Sequence, residues 1–192
     1  MTSYQTLPDG YKEILSIDLQ KDKKLMLLVN GASVVVAVLM AFFAHFCVPI
    51  QTLFDMSQGS VIYFVRFFAL AIGSVLYIIL HELVHGITMK LCGTKKVKYG
   101  FKGVYAFARS DDYYDKKSYL TIALAPVVLW GLFLAILSVI VPIQWFWVVY
   151  FIQISNIGGA TGDMYVTARL SKLPDDVLVK DYGVGMTVYS AK

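Results

Sequence analysis

Residues 74–89 read Ser-Val-Leu-Tyr-Ile-Ile-Leu-His-Glu-Leu-Val-His-Gly-Ile-Thr-Met, two histidines and a glutamate set into an otherwise apolar run. The whole run, Val61–Met89, exceeds the roughly 20 residues needed to cross a bilayer. Three further runs reach that length: Leu25–Val48, Tyr119–Val141 and Trp145–Ala168. The 192-residue chain is 58% hydrophobic and only 16% charged, against about 45–50% and about 25% in soluble domains. That excess excludes an ordinary water-exposed domain, and 15% aromatic residues oppose disorder. The reading is an all-α integral membrane protein, one domain over 1–192. Its transmembrane helices fall at about 25–48, 61–89, 119–141 and 145–168, followed by a tail at 169–192.

The net charge of +4 is a topology signal and not a nucleic-acid footprint. Of 17 Lys and Arg, four precede the first run, eight lie from Lys90 to Lys117, and four follow the last run, ending at Lys192. The connections 49–60 and 142–144 contain none. Cytoplasmic loops are the ones enriched in Lys and Arg, so both termini and the 90–118 loop are expected in the cytoplasm of a multi-pass plasma-membrane protein. Arg66, five residues inside the second run, reads as a snorkelling side chain. The two cysteines, Cys47 and Cys92, fall at opposite ends of a core about 30 Å thick, too far apart to bridge.

Between the second and third runs, Val97, Tyr99, Phe101, Tyr105 and Phe107 share one parity and Lys98, Gly100 and Lys102 the other. This is strand alternation, and Gly103 marks a turn, so a small cytoplasmic β-hairpin is expected. Tyr11, Ile14, Leu15, Ile17 and Leu19 form an amphipathic pattern suited to the membrane surface. Val177–Val179 and Met186–Tyr189 have the composition of short strands. Pro126 suggests a kink in the third helix.

Only Glu82 and Asp163, of thirteen acidic residues, fall inside the apolar runs, and ionisable groups at that depth mark a functional site by default. Glu82 belongs to His81-Glu82-Leu83-Val84-His85, an HExxH pattern. On a helix, residues i and i+4 share a face, so both imidazoles reach one zinc ion and the glutamate acts as general base toward a water. The bland alternative is a helix end in contact with headgroups. Zinc hydrolases use three protein ligands. At 1.5 Å per residue, His81 lies about 30 Å below Val61, and Asp163 lies about 27 Å below Trp145. Asp163 is therefore the level candidate for the third ligand, whereas His45 falls near the opposite end. Asn156, on the Asp163 face two turns earlier, is a candidate for polarising a scissile carbonyl, or equally for an interhelical hydrogen bond.

His81-Glu82-Leu83-Val84-His85-Gly86, the tyrosine-rich hairpin, Ala125-Pro126 and Asn156-x-Gly-Gly-x-x-Gly-Asp163 together resemble the zincin peptidase family of small bacterial membrane proteins. More distantly the layout resembles site-2-protease-type intramembrane metalloproteases, although Gly162-Asp163-Met164 replaces their usual Leu-Asp-Gly. The resemblance implies zinc on His81, His85 and Asp163, and Glu82 as catalytic base. The expected activity is membrane-embedded hydrolysis of a peptide or membrane-protein substrate near the cytoplasmic face, with the lipid bilayer as surroundings and no nucleic-acid partner. Two alternatives stand beside it: a metal-binding or ion-moving membrane protein, and an inactive relative serving as a partner-binding or immunity protein.

Overall fold

The computed structural model describes residues 2–103 and 105–191; Met1, Val104 and Lys192 lie outside them, and with Lys192 the last of the tail charges counted above. The chain forms two compact units. Unit 1 gathers residues 1–29, 80–126 and 162–192, and unit 2 gathers 30–79 and 127–161.

Unit 1 contains a five-stranded antiparallel sheet, which corrects the all-α expectation to a mixed α/β fold. Its strands are β1 (Ser3–Tyr4), β2 (Lys12–Asp18), β5 (Tyr113–Asp115), β6 (Leu178–Asp181) and β7 (Gly185–Ser190), in the order β1-β5-β6-β7-β2. The expected hairpin forms a separate sheet of β3 (Lys98–Lys102) and β4 (Tyr105–Arg109), turning at Gly103 with φ +64. The segment read as an amphipathic membrane-surface stretch is strand β2. A register shift between Glu13 and Leu15 interrupts its alternation, leaving Ile14 exposed while Ile17 is buried. That bulge is the reason the period-2 pattern was obscured. Ile17, Tyr114, Val179 and Val188 pack with Met89, Tyr119, Ile122, Val166 and Leu170 to form the core of the unit. Burying apolar surface contributes about 25 cal/mol per Å², and this shared core fixes helix segments to the sheet.

Among the described residues, three helices are long and apolar enough to cross a membrane: α1 (Lys23–Cys47), α2 (Ser60–Leu91) and α3 (Lys116–Ile140). The fourth expected span is divided into α4 (Phe146–Gly159) and α5 (Thr161–Ser171). At 14 and 11 residues each is too short to cross alone. The break falls in Gly158-Gly159-Ala160-Thr161-Gly162, where three glycines weaken helix propensity by about 1 kcal/mol each. Apolar side chains such as Phe46, Phe68 and Val139 remain exposed on the long helices.

In unit 2, Trp147 is fully buried against Leu53 and Val148, and its indole N–H donates to the Val48 and Pro49 carbonyls. Arg66 does not snorkel. It is fully buried, and its guanidinium donates to the carbonyls of Thr52, Gln144 and Asp55. Unpaired loop carbonyls away from water are costly, and one side chain with five donors satisfies three of them. His45 is likewise structural, its Nδ1 accepting the Ile50 amide at 3.0 Å. Cys47 and Cys92 are free thiols.

Asp115 closes β5 and caps α3, accepting the Ser118 amide at 2.8 Å and the Thr2 amide at 2.9 Å. Burial pushes its carboxyl up, but the amide and hydroxyl of Ser118 and the Thr2 amide outweigh it, and the carboxyl is held below its ordinary value. Asp115→Ala is expected to cost about 1 kcal/mol of stability near neutral pH. A depressed folded-state value means the ionised cap contributes above the unfolded value of about 3.9 and loses its contribution as pH falls through the folded value. Melting of wild type and variant in detergent should therefore differ at pH 7 and converge toward pH 3.

Candidate metal centre

His81 and His85 lie one turn apart near the C-terminal end of α2, and Asp163 lies in the first turn of α5. Nε2 of His81 is 3.6 Å from Asp163 Oδ2, and Nε2 of His85 is 3.7 Å from the same oxygen. One ligand atom from each residue lies within 4.8 Å of the other two. Both imidazoles are 12% exposed and the carboxylate 30%. The two rings meet edge to face, with centroids 4.9 Å apart.

These separations are too long for hydrogen bonds, which run about 2.7–3.2 Å. They suit donors sharing a tetrahedral ion, since bonds of about 2.0–2.2 Å place adjacent ligand atoms roughly 3.3–3.6 Å apart. Two imidazole nitrogens and one carboxylate oxygen also form a donor set common for zinc at catalytic sites. The tautomer agrees. His85 Nδ1 lies 2.8 Å from the Ile122 carbonyl, which only accepts, so Nδ1 carries the hydrogen and Nε2 keeps its lone pair for an ion.

Glu82, half-buried on the same turn of α2, accepts the backbone amide of Ala108 in β4. The hairpin register explains that contact. Tyr99 pairs with Ala108 and Gly100 with Phe107, and in an antiparallel ladder the amides of alternate pairs face outward. The Ala108 amide faces outward, toward Glu82. Tyr99 crosses α2 beside this turn, where a β-carbon at Gly86 would lie 2.6 Å from its Cζ.

The structure therefore brings together His81, His85 and Asp163, with Glu82 beside them. Asn156 belongs to unit 2, where its side chain is fully buried. There it accepts the Tyr77 hydroxyl at 2.9 Å and donates to the Val127 carbonyl at 3.2 Å. Asp111, in the loop after β4, pairs with Lys98 at 2.7 Å.

Two residues of the site escaped the sequence. A cavity of about 40 Å³ beside His85 and Asp163 is also walled by Tyr119 and Asp181. Asp181 accepts the Tyr119 hydroxyl at 2.7 Å and the Gly183 amide at 2.5 Å. Burial pushes the Asp181 carboxyl above its ordinary value despite both hydrogen bonds. The one sequence signal was Asp181-Tyr182-Gly183, an Asp that bonds the backbone two residues on.

Two imidazoles and a carboxylate converging beside a glutamate form a donor set that could hold one metal ion. The family described as "Putative zincin peptidase" matches residues 74–178, and the chain belongs to that family. The "Uncharacterized 24.7 kDa protein in gap 5'region" of Pyrococcus woesei is 34% identical over 123 residues, covering 58% of this chain and 50% of that protein. The chain thus spans about half the length of this curated relative. No solved structure matches the chain.

If the three residues form one centre, Asp163→Ala should lower the bound divalent metal of the purified protein as far as His85→Ala does. Elemental analysis in detergent measures this. Full metal content in the Asp163 variant would remove the carboxylate from the ligand set.

Proposed function

We propose that this chain is a membrane-embedded zinc metallopeptidase that hydrolyses a peptide bond near the cytoplasmic membrane face, with Glu82 as general base. The observation that carries the reading is the convergence of His81, His85 and Asp163 on one ion-sized space with Glu82 one residue from the first ligand. The lysine and arginine asymmetry of the sequence supports cytoplasmic termini and a multi-pass arrangement in the plasma membrane.

When bound, the zinc ion supplies a Lewis acid that makes a water acidic near neutral pH. The chain supplies the rest. The imidazoles of His81 and His85 and the Asp163 carboxylate fix the ion's position. Glu82 takes the proton from the attacking water as its oxygen bonds to the peptide carbon and the carbonyl π pair moves onto oxygen. Glu82 then delivers that proton to the departing nitrogen as the C–N bond breaks. The Ala108 amide holds Glu82 in place and ties it to the outer edge of β4.

That edge also supports a substrate class: an extended peptide, or a membrane-protein segment unwound to an extended form. Strand addition supplies main-chain hydrogen bonds without demanding a particular sequence. In the register with Phe101, Ala106 turns its amide outward as Ala108 does, two residues nearer the turn.

Glu82→Gln should keep stoichiometric zinc, because the amide is nearly isosteric and Glu82 is not a ligand. It should lose hydrolysis of a quenched fluorescent peptide library by about 10²–10⁴-fold. Wild-type turnover in this variant would refute the mechanism, and loss of zinc would make Glu82 a ligand. A further expectation follows for Ala106→Pro, which removes an outward amide while leaving the hairpin's own ladder intact. Cleavage should fall at least about tenfold, a loss of roughly 1.4 kcal/mol, with zinc content and melting temperature nearly unchanged. An equal loss of thermal stability would favour hairpin packing over substrate binding.

A further inference from the structure

Pro126 lies inside α3, and its side chain is fully buried. A proline has no backbone N–H, and its ring crowds the carbonyl four residues earlier. The carbonyl four residues before Pro126 is that of Ile122. It therefore lacks its i+4 helical donor by covalent necessity. This is the carbonyl that receives Nδ1–H of His85 at 2.8 Å.

We infer that Pro126 is a positioning residue of the metal centre: by removing the competing helical donor, it reserves the Ile122 carbonyl for His85 and so fixes which imidazole nitrogen faces the ion. The inference rests on the zinc reading proposed above. It assigns a role to a residue about a helical turn beyond the carbonyl, with no contact to the ion of its own.

Two features make the arrangement selective. His85 reaches the carbonyl through Nδ1, so its Nε2 is the nitrogen turned toward Asp163 Oδ2. Ile122 itself is 2% exposed, so solvent offers little alternative to the imidazole donor. An ordinary residue at 126 would offer its own N–H to the Ile122 oxygen along the helix axis. Nδ1–H would then share an acceptor or lose it, and the other tautomer, with hydrogen on Nε2, would become accessible. That tautomer cannot bind an ion through Nε2. Partners in this outer position typically contribute 10–100-fold to metal affinity.

The test separates this role from a structural one because the two predict opposite signs. Pro126→Ala restores a helical hydrogen bond and places the best helix former at 126, so the zinc-free protein should melt higher than wild type. Zinc affinity, measured by competition with a chromophoric chelator in detergent, should nevertheless fall about 10–100-fold. Nitrogen-15 spectra of labelled histidine in the zinc-free protein, recorded at a pH where His85 is neutral, should show it moving from a pure Nδ1–H form to a mixture. Replacing Pro126 by lactic acid, the α-hydroxy analogue of alanine, removes the N–H again without restoring the ring and should recover zinc affinity.

Wild-type affinity and an unchanged His85 tautomer in Pro126→Ala would overturn the inference while leaving the zinc reading intact. So would an affinity loss that the hydroxy acid fails to repair, since the ring and not the missing donor would then be responsible. A wild-type protein that binds no zinc overturns the zinc reading and this inference with it.

Discussion

The constraint on which the rest of unit 1 depends is electrostatic. Asp163 holds a carboxylate 3.6 and 3.7 Å from two imidazole nitrogens, in surroundings where all three side chains are largely withdrawn from water. An isolated charge so placed costs several kcal/mol after relaxation. Neutral imidazoles at these separations do not form good hydrogen bonds to it. A divalent ion between the three would offset the cost, because it would replace lost hydration for the carboxylate and coordinate both nitrogens. The three side chains are thus placed so that they could hold one ion, and the surrounding elements hold them in register.

Those elements are held by ordinary packing. Met89 on α2, Ile122 on α3 and Val166 and Leu170 on α5 share one core with Val179 and Val188 of the sheet. The five strands therefore anchor the three helix segments that carry His81, His85, Asp163 and the carbonyl partner of His85. A proline in a helix interior costs about 3 kcal/mol, through the crowding of its ring and through the carbonyl it orphans. At Ile122 the second of these is offset by His85. The same logic operates at Arg66, where three loop carbonyls converge on one guanidinium. In both cases an irregular backbone is tolerated because a side chain supplies the missing donor.

The parts legible in the sequence were those with a period or a fixed chemical spacing. HExxH placed His81, Glu82 and His85 on one helix, and the parity of 97–107 located β3 and β4. The five-stranded sheet was only glimpsed, because its strands are short and scattered: β1 and β2 precede the first helix, β5 follows the hairpin, and β6 and β7 close the chain. Pairing Ser3 with Tyr114 and Lys12 with Ser190 is a long-range relation that no local pattern encodes. The bulge in β2 concealed even its alternation. Asp181 was unreadable for a similar reason, since it enters the site through sheet pairing and not through a motif. Arg66 looked amphipathic by position, and only the folded loops revealed its acceptors.

Asp163 is the instructive case, because the fold replaces the single helix expected around it with two. The expected span Trp145–Ala168 is divided at Ala160, between α4 and α5. The break helps the carboxylate. A continuous helix would bury Asp163 mid-span, where every nearby amide is already bonded one turn back. Restarting the helix at Thr161 instead places Asp163 in the first turn of α5, where amides lack helical acceptors and the helix dipole favours negative charge. That position contributes typically 0.3–1 kcal/mol toward keeping the carboxylate ionised. The glycine-rich segment that reads as a close-packing surface therefore has a second consequence: it ends one helix and starts another where an anion is needed.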